Sequence, residues 1–222
     1  MFFRRRTPQT TRFDRWRSLA DRLELVDASD HAERIRRWLD LDVSALEPLY
    51  ALRRPGLPVT YLFDTVSERR GPSGVVRVLH RYCLVRSEGE VSRVAFRATA
   101  RQDKVLESLQ ASRSGAVRVG LAHVPDFDRV VSLYARAEAA LAPLMTAPVR
   151  SVLKRLLAER EAPGVSLVVG ERHVVVRFVV SEDDALTLLE QLLADTLSLV
   201  SLLPAVQRAH DELSADDLLD LP

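Results

Sequence analysis

Cysteine is nearly absent from this chain, since Cys83 is the only one in 222 residues. One thiol cannot form an internal disulfide or a thiolate cluster around a metal ion, and its place in a strand-like run predicts a buried, unreactive side chain. Apolar runs of the roughly 20 residues that a membrane-spanning helix needs are also absent. The first residues place arginines after two phenylalanines, unlike a secretory signal. We therefore expect a soluble, cytoplasmic protein without membrane contacts.

Motifs for nucleotide, metal and nucleophile chemistry are missing as well. The eight glycines form neither a dinucleotide fingerprint nor a phosphate-binding loop, and no serine lies in a nucleophile elbow. The five histidines fall on separate predicted elements and lack the i, i+4 pair of a helical zinc site. These absences predict no cofactor and no metal, and they identify no catalytic residue.

Lysine is scarce: Lys104 and Lys154 are the only two among 32 basic residues, which leaves 30 arginines. The codon bias of a GC-rich genome explains such a ratio. Selection for the planar guanidinium, which binds phosphate and carboxylate groups through two parallel hydrogen bonds, is the alternative explanation. The sequence leaves both explanations open.

The two ends of the chain carry opposite charge. Residues 1–22 contain seven arginines and two aspartates, a net charge of +5, whereas residues 182–222 contain ten acidic residues and one arginine, a net charge of −9. Fields of this size steer contacts with partners or between the two ends.

The spacing of apolar residues is helical up to about residue 55 and strand-like from residue 59. We predict an α+β fold with a helical N-terminal region, an antiparallel or mixed β-sheet with hairpins, and a long Leu-rich C-terminal helix. The predicted divisions are a flexible basic arm at 1–11, the helical region at 12–55, an α+β domain at 59–204, and a short helix with an acidic tail at 205–222.

Local signals predict individual elements within these divisions. Ser44 and Glu47 form a capping-box pattern, which predicts a short third helix. Residues 75–85 and 91–99 alternate between apolar and polar and are joined across a glycine, which predicts a hairpin.

Further elements are predicted in the C-terminal half. We expect a helix at 102–112, a strand at 127–134 and a second hairpin at 165–180. The Leu-rich helix is expected to end at about Leu203, before Pro204.

The order of elements from the strand at Phe127–Tyr134, through Pro143-Leu144-Met145-Thr146 before a helix, to an apolar hairpin resembles an uncharacterised bacterial domain of unknown function. The resemblance covers about residues 59–203. It implies a bacterial α+β domain, and it brings no activity and no functional residue with it.

Leucines of the C-terminal helix form the first candidate site. They cover more of the helix surface than one core-facing stripe requires, so that the helix is either buried within one domain or shared between the core and a second copy. The second alternative predicts a homodimer with Leu192, Leu199 and Leu203 near the interface.

Arginines near the N-terminus form the second candidate site. They supply charge for phosphate contacts but no pattern that reads bases, and Arg77, Arg81, Arg93 and Arg97 of the predicted sheet add to them. The candidate nucleic-acid-binding residues are Arg4, Arg5, Arg6, Arg12, Arg15 and Arg17.

The acidic tail is the third candidate site. It mixes acids with leucines, as short docking peptides do, and it otherwise reads as a frayed terminus. The candidate docking residues are Asp216, Asp217, Leu218, Leu219 and Leu221.

Together these patterns favour a non-catalytic interaction protein that self-associates and binds a protein partner. The first alternative is a nucleic-acid-associated protein that uses the Arg-rich N-terminal region. The second alternative is an enzyme whose site is assembled from residues scattered along the sequence.

Overall fold

The computed structural model describes residues 11–41, 45–71, 74–101, 116–121, 124–136, 138–159, 164–180 and 186–219. The fold of these residues is α+β, with six α-helices and nine β-strands. The helices are α1 (Arg12–Leu23), α2 (Ala32–Leu39), α3 (Pro125–Asp128), α4 (Glu138–Leu141), α5 (Ala147–Leu157) and α6 (Thr187–Leu219). The strands are β1 (Val26–Asp27), β2 (Leu49–Leu52), β3 (Val59–Gly71), β4 (Gly74–Arg86), β5 (Phe96–Ala100), β6 (Val117–Val119), β7 (Val131–Ala135), β8 (Ser166–Val169) and β9 (His173–Val180).

All nine strands belong to one sheet in the order β1-β2-β3-β4-β9-β8-β5-β7-β6. Every neighbouring pair is antiparallel. The predicted hairpin of β8 and β9 joins the N-terminal strands to the C-terminal ones. Because β1 and β2 pair into this sheet, residues 12–55 share its core and are not purely helical.

One face of the sheet, which we call the covered face, packs against α1, α5 and α6. Its strands contribute Leu62, Leu133 and Leu167, and the helices contribute residues such as Trp16 and Leu199, all at most 1% exposed. Burying a leucine or phenylalanine side chain of this kind stabilises the fold by about 1.5–3 kcal/mol. This layer is the main core.

The opposite face, which we call the arginine face, is divided into two halves. Over β2, β3 and β4 it packs against α2, where Ile35, Tyr61, Phe63 and Leu84 form a second buried cluster. Over β5, β6 and β7 the row on this face contains Arg97, whose cross-strand partner Tyr134 is 3% exposed and also pairs with Arg118. The second half therefore carries polar side chains where the first half carries an apolar cluster.

Helix α1 forms as the sequence predicts. Thr11 caps it, and Asp14 completes a reciprocal capping box with the Thr11 backbone amide. Its buried side includes Trp16, whose Nε1 donates to Asp64 Oδ2 at 2.9 Å and whose ring stacks on Tyr50 at 5.9 Å. These contacts fix α1 across the sheet edge.

The predicted third helix after Ser44 is wrong, because β2 begins at Leu49. The Glu47 amide donates to the carbonyl of Asp64 in β3 at 3.0 Å, and the residues from Leu49 to Leu52 all pair with β3. Ser44 itself lies outside the described residues. Leu49 and Ala51 are buried against the second cluster, and this tertiary burial outweighs the local capping pattern.

The predicted hairpin of residues 75–85 with 91–99 is also wrong. Strand β4 pairs with β3 and β9, whereas β5 starts at Phe96 and pairs with β7 and β8. Alternation indicates which residues are strands, but it does not identify the partner strand.

Two C-terminal predictions need correction as well. The strand predicted at 127–134 is instead α3 followed by β7, and α6 continues through Pro204 to Leu219 as one helix of 33 residues. The buried side chains of Leu199, Val200 and Leu203 anchor the turns before the proline. The helix predicted at 102–112 lies outside the described residues.

Candidate functional site

A pocket of about 590 Å³ opens where the ends of β5, β7, β8 and β9 meet on the arginine face. The polar side chains in its described lining are Arg93, Arg97, Arg136, Tyr134 and His173, and the other described lining residues are apolar or glycine. No described lining residue is acidic. We call this site the arginine pocket.

The antiparallel register explains why these side chains meet. Arg97 in β5 lies directly opposite Tyr134 in β7 on one side and Val168 in β8 on the other. Directly opposite residues point to the same face of a sheet, so these three share one row. Arg136, just after the end of β7, also lines the pocket and is exposed.

His173 belongs to the same face because it lies two residues before Val175, which pairs with Val168. A Cβ atom added to Gly170 would meet the His173 ring at 2.4 to 2.9 Å, so any other residue there would displace the imidazole from this position. The pKa of His173 is lowered from its usual 6.5, first by burial and then by the charge of Arg86. The ring is therefore neutral at physiological pH and offers hydrogen bonds without charge.

The charges in the pocket are partly balanced at its rim. Arg93 pairs with Glu90 at 3.5 Å, and both side chains are largely exposed. Such an exposed pair contributes little free energy and opens readily to a competing anion. The described lining is thus electropositive, with two neutral hydrogen-bonding groups, Tyr134 and His173, beside the guanidinium groups.

A second group of polar residues lies under α1 and has a different character. Arg81 Nε donates to Asp64 Oδ1 at 2.8 Å and its terminal nitrogen donates to Oδ2 at 3.2 Å, with both side chains at most 2% exposed. Trp16 donates to the same carboxylate. Arg81 is a structural residue without access to a ligand, which corrects its place among the candidate phosphate contacts.

Of the candidate nucleic-acid residues of the N-terminus, Arg12, Arg15 and Arg17 are not part of the described pocket lining. Arg4, Arg5 and Arg6 lie outside the described residues. Arg12 and Arg15 are half-buried and Arg17 is exposed, all on α1, which packs on the covered face of the sheet. On the sheet itself, Arg77 is exposed and pairs with Glu68 at 3.1 Å, outside the pocket lining.

The candidate self-association residues are core residues of a single chain. Leu192, Leu199 and Leu203 are all 0% exposed. The reason for placing them at an interface was that they would otherwise lie in water, and their burial under the sheet removes that reason. Self-association by another surface stays a prediction.

The candidate docking tail lies at the far end of α6. The backbone is helical at Asp216, Asp217, Leu218 and Leu219, so that the segment predicted as a tail continues the helix. Leu221 lies outside the described residues. Docking of this segment stays a prediction.

Cys83 is buried, and its pKa is raised to about 12 by burial, partly offset by a hydrogen bond with Thr196. The described ranges contain no cluster of three or more histidine, cysteine or acidic side chains that could hold a metal ion. None of the helices in those ranges combines the length and apolar character required to cross a bilayer.

Comparison with protein-family models, curated proteins and solved structures gives no match to this chain. The resemblance of residues 59–203 to an uncharacterised bacterial domain therefore stays a prediction.

Sequence reasoning found part of the pocket. It placed Arg93 and Arg97 on an arginine-bearing side of the sheet, but it did not connect them with Tyr134, Arg136 or His173. Those residues come from separate strands, and only the strand order brings them to β5. Gly170, three residues before His173 in the β8–β9 turn, is the local feature that could have drawn attention to this corner.

Proposed function

We propose that this protein is a non-catalytic binding protein whose arginine pocket holds an anionic group. The observation that carries the proposal is a pocket of about 590 Å³ with three arginines and no acidic residue among its described lining. Pockets of about 300–1,000 Å³ with a few convergent polar groups are typical small-molecule sites.

The chemistry of the lining supports an anion as the bound group. A guanidinium presents a planar fork of donors that matches the two oxygens of a carboxylate or the edge of a phosphate. Arg97 is half-buried, and such partly desolvated donors bind an anion more strongly than donors in bulk water. The neutral ring of His173 supplies a further hydrogen bond.

A nucleic acid is the second candidate ligand, through its phosphates. The observation that favours it is the row of Arg118, Tyr134 and Arg97 across three adjacent strands, with Arg118 exposed and outside the pocket lining. A phosphate chain that runs along this row would contact both arginines. In this alternative the sheet arginines contact the phosphates, and the role of the N-terminal arginines stays a prediction.

Self-association and docking of the acidic C-terminal segment remain part of the proposal as interactions at other surfaces. A concentration series in light scattering tests the first. Removal of residues 214–222 tests the docking of the acidic segment. If this segment masks basic residues, the shortened protein should bind polyanions with higher affinity than the intact protein.

The test of the pocket is calorimetric titration of the intact protein with inorganic phosphate, citrate and a single-stranded oligonucleotide. Arg97→Gln should weaken binding about tenfold to a hundredfold, because a hydrogen bond to a charged group contributes about 1.5–3 kcal/mol. Arg17→Gln on α1 removes the same charge from an exposed site on the covered side and should change little.

The variant Arg118→Gln separates the two candidate ligands. It should weaken only the oligonucleotide, and its effect should shrink as salt rises, because phosphate contacts release counterions. Equal binding of every anion by wild type and Arg97→Gln would contradict the proposed function.

A further inference from the structure

We infer that the ligand of the arginine pocket is a small amphipathic anion: one carboxylate or phosphate group attached to an apolar body of several carbon atoms. The inference rests on the proposed function and adds the chemical class of the ligand. Apart from its polar residues, the described lining is apolar or glycine, and it includes Val94, Ala95, Ala116, Ala140 and Val168.

The cationic and apolar walls of the pocket adjoin each other. Arg97 and Val168 are direct cross-strand partners on the same face. Val168 also packs against the second buried cluster under α2, so the apolar wall is continuous with a core. A ligand whose anion pairs with Arg97 would lay its next atoms on this valine.

The pocket owes its space to small side chains. Three of its described lining residues are alanines, and Ala95 and Ala140 are exposed, whereas Ala116, Val94 and Val168 are half-buried. The His173 ring fills the space beside Gly170, which closes that side. Apolar surface that stays accessible beside guanidinium groups favours a ligand with both characters over a fully hydrated ion.

The same features favour a small ligand over a nucleic acid inside the pocket. A phosphodiester chain carries a charge at every residue and follows a groove, whereas much of the described lining beside the arginines is apolar surface that a phosphate would leave uncovered. A ligand with a single anionic head and a hydrocarbon body would pair with the arginines and cover the apolar lining at the same time.

A homologous series of linear carboxylates tests the inference: acetate, butyrate, hexanoate and octanoate, with octyl phosphate and octanol as the two comparisons. Calorimetric titration of the full chain should show affinity rising about fourfold for each added methylene until the pocket is filled, which is the effect of about 0.8 kcal/mol per buried CH₂. Octanol should bind far more weakly than octanoate.

Three variants connect this series with the walls of the pocket. Arg97→Gln should lower the affinity for all the acids and leave the increment per methylene unchanged. Val168→Thr should reduce the increment, whereas the matched change Val117→Thr, at an exposed strand valine outside the lining, should leave it unchanged. Ala140 is an exposed helix position that should tolerate a larger side chain. In Ala140→Leu, the affinity should stop rising at a shorter chain length than in wild type.

The outcomes separate this inference from the proposed function. If phosphate and all the acids bind equally and Arg97→Gln weakens them, the anion site stands and the amphipathic ligand is overturned. If octanol binds as tightly as octanoate, the anionic head is overturned. If the affinity for the acids does not rise with chain length and an oligonucleotide binds through Arg97 and Arg118, the nucleic-acid candidate replaces the small ligand. If neither an acid nor phosphate binds in an Arg97-dependent manner, the proposed function falls with it.

Discussion

Arg81 and Arg97 belong to the same sheet but have opposite surroundings. Arg81 is buried, and Asp64 accepts two of its hydrogen bonds within the fold. Arg97 is half-buried at a pocket whose described lining holds two more arginines and no acid. The number of arginines therefore says little about function. Arg81 donates to a buried carboxylate inside the fold, whereas Arg97 lines a pocket that is large enough for a ligand.

This distinction also bears on the codon-bias explanation. A composition bias supplies arginines everywhere, and the fold then neutralises some of them. The ion pairs Arg81–Asp64, Arg155–Asp195 and Arg129–Asp126 form a series of decreasing burial. Their contributions to stability should fall in the same order.

The largest effect is expected at the buried pair. Asp64→Ala leaves the guanidinium of Arg81 and the indole nitrogen of Trp16 without their acceptor, and it should lower the free energy of unfolding by about 3–5 kcal/mol. Urea denaturation measures this change. The double variant Asp64→Leu with Arg81→Met should recover much of the loss, because it removes both charges. A loss below about 1 kcal/mol for Asp64→Ala would show that this pair does not hold α1 and the sheet together.

A smaller effect is expected at the pair between α5 and α6. Arg155 Nε donates to Asp195 Oδ1 at 3.0 Å, where Asp195 is buried and Arg155 is half-buried. Asp195→Ala should cost about 1–3 kcal/mol, the usual penalty for an unmade buried hydrogen bond. Thermal unfolding of the Asp195→Ala variant measures this cost. Ser198→Ala, at a half-buried position one turn away, is the control. A cost equal to that of Asp64→Ala would break the proposed order.

The exposed pair should contribute least among the three. Arg129 Nη1 lies 3.1 Å from Asp126 Oδ1 in an i, i+3 pair, and both side chains are more than 70% exposed. Asp126→Ala should change the free energy of unfolding by less than about 1 kcal/mol, and added salt should reduce the change further. An effect that persists in 1 M salt would contradict this assignment.

A pH effect is expected at His173. In the unfolded chain this histidine takes a proton near pH 6.5, whereas in the folded chain burial and Arg86 oppose protonation and lower its pKa. As pH falls below about 6.5, the unfolded state therefore binds more protons and the fold loses stability. His173→Gln should flatten this slope in urea titrations at pH 7.5 and 5.5. If the pH dependence of stability is the same in His173→Gln as in wild type, burial and Arg86 do not oppose protonation of this ring.

The sequence predicts the elements that depend on residues close together in the chain, and it does not predict those that depend on distant residues. The capped helix α1, helix α5 and the hairpin of β8 and β9 depend on neighbouring residues, and the sequence places them correctly. Strand β2 depends on pairing with β3, and the partner of β4 is β9, almost a hundred residues away. Local patterns contain no information about such partners.

The leucines of α6 show the same limit. Their number predicted more apolar surface than one core requires, and the sheet, α1 and α5 use all of it at Leu192, Leu199 and Leu203. The size of that core depends on nine strands joining one sheet, which no window of the sequence reveals. The arginine pocket was hidden for the same reason, because Arg97, Tyr134 and His173 meet only after the sheet is assembled.

The most direct test of the central claim is one titration of octanoate into three forms of the intact protein: wild type, Arg97→Gln and Arg17→Gln. The account predicts that wild type and Arg17→Gln bind alike, that Arg97→Gln binds about tenfold to a hundredfold more weakly, and that all three unfold at similar temperatures. Equal affinity in all three forms would contradict the claim that the arginine pocket is a binding site.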